Sequence, residues 1–513
     1  MNLCVTTNDV YDVGIQDNHL SLMYASDSLS KVAIKTPVGL TQRVDILKTV
    51  NQGEVLSPLK ATISVDSIAR DQMENLDEHL YRYQGEVAIP PLGCVDDQIT
   101  VSECGMDSAM VTSHINTMTN LKRLQFGPAK CFKLHIGKIC GGCPDNYIDT
   151  WQLEKISDEV VSLFEMLDVE SDRHLIELVE AAGYLGDVLQ SSGKNTLNIE
   201  TRRKRGLVAV NVIMSKLEQL TLGPYYFQTA VIFRNSLLLS TMLTNVESWF
   251  GLTDKEVETL EKVDEQLMRR IMSAHSKTAI PALYLELGCV PIRFIIMQRR
   301  IGFLWYILNE PENSLIRNVF NSQLAHPAKG DWCTQVRGDL EKLGLHISFE
   351  ALARWSVNEL KSVLKSSVRK EGFKYLLECQ KDKSKIKDIK YSSLKLQDYL
   401  GHQRSTTIKE KCLLFKARTR MMDLKSNFKL GRTDLSCSRC GTGEESQRHV
   451  LSCPAVMQGD TSLVSDTISY EDLLGEDPGR VETLGHKLNQ NFDIFKNLPC
   501  DRSNAVSATG ATQ

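Results

Sequence analysis

No stretch of this sequence stays apolar for the length that a membrane-spanning helix needs. The best run, FIIMQRRIGFLWYIL from Phe294 to Leu308, is broken by Arg299 and Arg300. The opening, MNLCVTTNDVYDVG, has neither a basic start nor an apolar core, so no secretory signal is expected. The expectation is an intracellular chain that is not secreted and has no membrane partner. Its 14 cysteines are then expected to be reduced, apart from any that hold a metal. A repeat of fixed period is also lacking, which argues against repeat architectures. Gly and Pro thin out between about 200 and 430, leaving few interruptions to helix.

What is present is ordinary in bulk. The 513 residues are 42% hydrophobic and 24% charged, enough for several globular domains. The net charge of −4 conceals an asymmetry. From Lys361 to Arg432 there are 20 Lys and Arg against 7 Asp and Glu, so this segment carries +13 and the remainder −17. A basic segment on an acidic body points to local contact with a polyanion.

Residues 1 to about 200 mix helix and strand signals. A helical start around His19 gives way to VAIKT, a turn at Pro37-Val38-Gly39 and RVDILKTV. Ser57-Pro58 is a suitable helix opening. YRYQGEVAIPPLG and ITVS read as short strands around the pair Asp96-Asp97. Beyond about 200 the reading is almost wholly helical, and Leu260, Val263, Leu267 and Ile271 fall on one helical face. The expected class is therefore α+β, an α+β front followed by a helical back.

Taken alone, Asp96-Asp97 reads as a solvated turn. Its flanks, VAIPPLGCV and ITVS, are apolar enough to be largely buried, and carboxylates placed between them need a compensating cation. Mg²⁺ takes oxygen ligands and is commonly held by one or two carboxylates plus substrate phosphates. In this context GCVDDQITVS resembles the carboxylate hairpin of non-LTR (LINE-like) retrotransposon reverse transcriptases. VNQGEVLSPL before it and LQFGPAKCFKLHIG after it resemble the flanking motifs of that family, in the same order. GYLGDVLQSSGKNTLNIETRRKRG resembles the strand pair that grips the primer and the start of the thumb. The resemblance covers the chain from near residue 8 to about 456.

The resemblance implies an RNA-directed DNA polymerase acting on an RNA template, a DNA primer or target and deoxynucleoside triphosphates, in the nucleus or cytoplasm. Asp96 and Asp97 would be catalytic and hold Mg²⁺, Lys130 would meet the triphosphate, and Gln52 and Gly53 would shape the nucleotide pocket. It implies a partial palm (antiparallel sheet plus helices) over 1–200, a helical thumb-like region over 201–345, a basic helical connector over 346–430, a zinc knuckle over 431–456 and a tail over 457–513. One departure stands out. The family's third carboxylate, on an earlier strand, would fall at or before Met1, and Asp9, Asp12 and Asp17 are poor substitutes. The expectation is a fragment that polymerises poorly or not at all. The alternative is a non-catalytic nucleic-acid-binding remnant.

CSRCGTGEESQRHVLSC places Cys437, Cys440, His449 and Cys453 within 17 residues. Thiolate and imidazole ligands with a C-x2-C opening suit tetrahedral Zn²⁺, and the motif also resembles the family's C-terminal zinc knuckle. By contrast Cys140-x2-Cys143 is a lone pair, and Cys131 reads as packing. Ahead of the knuckle, Lys and Arg alternate with Phe, Tyr and Leu, a pattern suited to phosphate contact and base stacking. Arg202 to Arg205 form a second basic cluster, which reads as a solvated turn or, by the resemblance, a backbone contact.

Overall fold

The structure, a computed structural model, describes residues 3–28, 31–33, 35–45, 57–94, 97–121, 130–136, 165–167, 173–220, 223–401, 406–427, 434–451 and 453–454. Gln52, Gly53, Asp96, the Cys140–Cys143 pair and the 457–513 tail lie outside the described residues. The class is α+β: helices dominate, and the described strands form two-stranded pairs, all antiparallel except one. The chain divides into two compact units, Met1–Lys194 with Glu310–Pro327, and Asn195–Asn309 with Ala328–Gln513.

In the first unit, α1 (Leu3–Asp12) and α2 (Asp17–Ser28) lead to a hairpin that pairs Lys35 with Leu40 and Thr36 with Gly39, so Pro37 and Val38 form its turn. α3 (Ser57–Asn75) opens at the Ser-Pro step and packs beside α4 (Gly105–Leu121). Leu76 and Leu80 bury with Val111 and Ile115 in a small core between them. Two side-chain pairs hold this layer: His114 Nε2 lies 2.5 Å from Asp71 Oδ2, and His79 Nδ1 lies 2.8 Å from Asp107 Oδ1.

The second unit carries the large core. α5 (Thr196–Gln219) runs against α7 (Asp254–Ile271), and α6 (Tyr226–Phe233) continues into a π turn at Arg234–Leu238. α7 begins in a capping box: Glu256 N–H donates to Thr253 Oγ1 and Thr253 N–H to Glu256 Oε2 (2.9 Å). Its expected apolar face is the one that buries, with Leu260, Val263, Leu267 and Ile271 all in the core. α8 (Ile280–Leu287), α9 (Ile292–Asn309), α10 (Trp332–Lys342), α11 (Val357–Lys381) and α12 (Ile408–Arg418) complete the helical body. No single described helix is long and apolar enough to cross a membrane.

The basic segment belongs to this core. Ile386, Ile389, Leu394 and Leu400 bury with α8 and α12 in one cluster. Glu286 Oε1 accepts from Arg418 Nε and from Tyr391 OH, both at 2.9 Å, and Gln397 N–H donates to Glu286 O. The seam is tight at Gly288, which ends α8 in the left-handed region (φ +65°). A Cβ there would lie 2.2 Å from the backbone carbonyl carbon of Lys395. Strain and overlap act together, so Gly288→Ala is expected to cost about 3 kcal/mol in urea unfolding. A change of under about 0.5 kcal/mol, typical of an unconstrained surface site, would refute this account of the seam.

Candidate metal centre and carboxylate hairpin

The carboxylate hairpin pairs Leu92–Cys94 with Asp97–Ile99, in the register Leu92 to Ile99, Gly93 to Gln98 and Cys94 to Asp97. Gly93 rests on α3, where a Cβ would sit 3.5 Å from Val65 Cγ1. Asp97 is exposed at the start of its strand. A second hairpin pairs Ala181–Tyr184 with Asp187–Gln190. Its turn places Leu185 at φ +46° and Gly186 at φ +88°, the positive values that a type I′ turn demands.

Burial raises the Tyr184 phenol above its ordinary range, and the nearby Cys94 and Asp97 raise it further. The phenol is therefore within electrostatic reach of Asp97, about ninety residues away in sequence. Lys130 is exposed just ahead of the Phe132–Lys133 strand, which pairs in parallel with Glu177–Leu178. In the same LQFGPAKCFKLHIG segment, burial lowers Lys133 to about 8. The motif alone did not single it out, because burial is decided by the fold.

The four zinc-type ligands come together. The donor atoms of Cys437, Cys440, His449 and Cys453 all lie within 4.8 Å of one another. Cys437 Sγ and Cys453 Sγ are 3.9 Å apart, close to the roughly 3.8 Å edge that a tetrahedral site with ~2.3 Å zinc–sulfur bonds requires. Cys440 Sγ lies 3.2 Å from His449 Nε2, which leaves that nitrogen as the donor facing the thiols. This Cys3His set could hold zinc.

Local backbone chemistry builds the centre. Ser436 bridges to Glu444, Cys437 N–H donates to Gly443 O, and Gly441 N–H donates to Cys437 O. Gly443, at φ +72°, lets the chain turn against the imidazole: a Cβ there would lie 3.2 Å from His449 Nδ1. His449 itself is carried on α13 (Gln447–Leu451). Burial opposes the Cys440 thiolate, but hydrogen bonds from Thr442 and from Cys437 and Cys453 outweigh it and bring the thiol down to about 6. Arg439 N–H donates to Cys437 Sγ. Such donors stabilise thiolates and metal–sulfur bonds alike.

The centre is fastened to the helical body. Cys437 and Cys453 are 2% and 0% exposed and belong to the main core. Gln447 Nε2 donates to Ala417 O at the end of α12. Buried Glu445 accepts from Ser438 N–H, Ser438 Oγ and Lys425 N–H.

The basic residues divide by tertiary role. Arg202, at 2% exposure, donates to Thr241 O and lies over the Trp249 ring, so it serves packing. Arg203 pairs with Glu200. In the connector, Lys411 donates to Gly401 O (2.8 Å), and Arg418 is buried against Glu286. Lys361, Lys365 and Lys370 remain exposed on α11. In comparisons with known proteins, no family model and no curated protein matches this chain.

Proposed function

We propose that this chain is a nucleic-acid-handling protein of the reverse-transcriptase type, with a polymerase-palm hairpin in its first unit. The observation that carries the reading is the antiparallel hairpin that pairs Leu92–Cys94 with Asp97–Ile99 and leaves Asp97 exposed at the start of its second strand. A palm needs an open carboxylate hairpin, because the primer end must lie against the carboxylates that position its metal ions. Asp97, together with Asp96, would hold Mg²⁺, which when bound supplies Lewis-acid stabilisation of the pyrophosphate leaving group. The order of the sequence motifs around the hairpin supports the same reading.

Primer extension on an RNA template, with Mg²⁺ and all four deoxynucleoside triphosphates, tests it. Extension by the full chain is expected to fall more than about 100-fold in Asp97→Asn and Asp96→Asn, the scale on which loss of one charge-stabilising group acts. Extension that survives both substitutions would remove the hairpin from the chemistry.

A second reading is favoured by the Cys3His centre and its fastening to the basic connector. Here the chain binds nucleic acid without copying it. Template binding in a gel-shift assay with no extension by the unsubstituted chain selects this reading. Absence of both binding and extension rejects the two together.

A further inference from the structure

Four helices of the second unit line a cavity of about 590 Å³. Each helix offers one face. α9 supplies Arg293, Ile296, Met297 and Arg300, the spacing of neighbours along a single helical side. α11 supplies Glu371, Lys374, Tyr375 and Glu378 at the same spacing. α10 adds Asp339 and Lys342, and the first turn of α7 adds Asp254 and Val257. The volume is that of a small-molecule site, for which about 300–1,000 Å³ is usual.

Most of the charge on these walls is matched within the fold. Arg293 donates through Nε and Nη2 to the two oxygens of Glu261, at 2.9 and 2.6 Å, and lies over the Tyr375 ring. Lys374 pairs with Glu371, and Glu378 with Lys381. Asp254 sits in the first turn of α7, where the helix dipole favours a carboxylate. Arg300 differs. It is 6% exposed, and among the described residues its one hydrogen bond runs from Nη1 to Asp339 Oδ2 at 3.1 Å. Its Nε is buried and has no partner among them. In Arg293 and Arg234 the corresponding Nε–Nη2 edge grips both oxygens of a carboxylate. A buried guanidinium with so few bonds bears an uncompensated desolvation cost.

Lys342 lies one turn beyond Asp339, is exposed, and has no ion-pair partner among the described residues. Arg300 and Lys342 thus bring two positive charges against the one negative charge of Asp339. One monoanion balances this cluster, and a phosphate dianion overshoots it. Ile296 and Met297 present apolar surface one turn before Arg300, and Phe294 meets Tyr375 edge-on with ring centroids 5.6 Å apart.

We infer that this cavity binds a small amphipathic carboxylic acid, its carboxylate on the Nε–Nη2 edge of Arg300 beside Lys342 and its apolar body against Ile296, Met297 and Tyr375. A planar carboxylate matches the two parallel donors of that edge. The inference goes beyond the nucleic-acid reading and does not rest on it, because neither the carboxylate hairpin nor the metal ligands line the cavity.

Isothermal titration calorimetry of the full chain with 4-phenylbenzoate, and with the neutral 4-phenylbenzamide, tests it. The acid is expected to bind at least about tenfold more tightly than the amide, the scale of one hydrogen bond to a charged group. Arg300→Lys keeps a cation beside Asp339 but lacks the two-donor edge. It should weaken the acid about tenfold and leave the amide within about twofold. Lys342→Gln alters an exposed side chain, so its fold is expected to persist by circular dichroism, and it should weaken the acid about threefold. Should Arg300→Lys fail to fold, the contrast between acid and amide and the Lys342→Gln result decide. Equal binding of acid and amide overturns the site. Acid binding that no folded variant weakens does the same, as does a full chain that binds neither compound. Each of these results leaves primer extension, and the reading it tests, untouched.

Discussion

Cys453→Ser is expected to remove the bound metal and to loosen the helical body as well as the knuckle. Cys453 has no exposed surface and packs in the same core as Leu414, Phe415 and Met422. Its thiol faces Cys437 at 3.9 Å, and the two anchor opposite ends of the 17-residue ligand segment. A segment this short has little core of its own, and structural zinc in comparable peptides supplies about 10–16 kcal/mol of apparent binding free energy. The loss passes to α12 through Gln447 and Ala417, and to the Lys425–Asn427 turn through Glu445. Metal analysis of the purified chain should fall from about one zinc per chain to near none, and thermal melting should drop by about 10 °C or more. A strong chelator should reproduce the melting change in the unsubstituted protein. Cys333→Ala, a buried cysteine outside the cluster, serves as control and should retain the metal. Full zinc content with unchanged melting in Cys453→Ser would dismiss the centre.

Asp264→Ala is the other substitution with a large expected effect, and here the cost is electrostatic. Arg234 is 2% exposed and Asp264 has no exposed surface. The guanidinium donates through Nε and Nη2 to the two carboxylate oxygens, each at 2.6 Å, and through Nη2 to Val290 O at 2.8 Å. Tyr284 OH adds a third donor to the carboxylate at 3.1 Å. Burial opposes the arginine's charge, and the Asp264 carboxylate overcomes that opposition. Removing the carboxylate leaves a cation enclosed by α6, α7 and α8 with no counter-charge. Breaking such a pair from one side costs about 3–5 kcal/mol. Urea unfolding should show this loss, and Arg234→Met combined with Asp264→Leu should recover much of it. If the double substitution is no more stable than Asp264→Ala alone, the cost lies in shape and not in the stranded charge.

Local features were legible in the sequence where their cause is local. The Pro37-Val38 turn closes the hairpin that pairs Thr36 with Gly39, and α3 begins at Ser57 as the Ser-Pro step predicts. The face of α7 was readable because helical period alone determines which residues share a side. The Cys3His centre was readable for the same reason: its four ligands sit within one short segment whose glycines permit the turns. The arginines show the opposite case. Arg202, Arg234 and Arg418 look like surface charges in the sequence, yet all three are buried. Apart from Asn235 beside Arg234, the partners that hold them lie thirty or more residues away, so no local pattern announces them.

The division follows the range of the forces. The sequence by itself determined the α+β order of elements, the helix faces, the turn chemistry and the metal ligand set, since each depends on backbone geometry over a few neighbouring residues. Only the fold as a whole decides which charges are buried, that Arg234 meets Asp264, and that Arg418 meets Glu286 from more than a hundred residues away. Those outcomes depend on which helices and hairpins pack together, and packing is a property of the whole core.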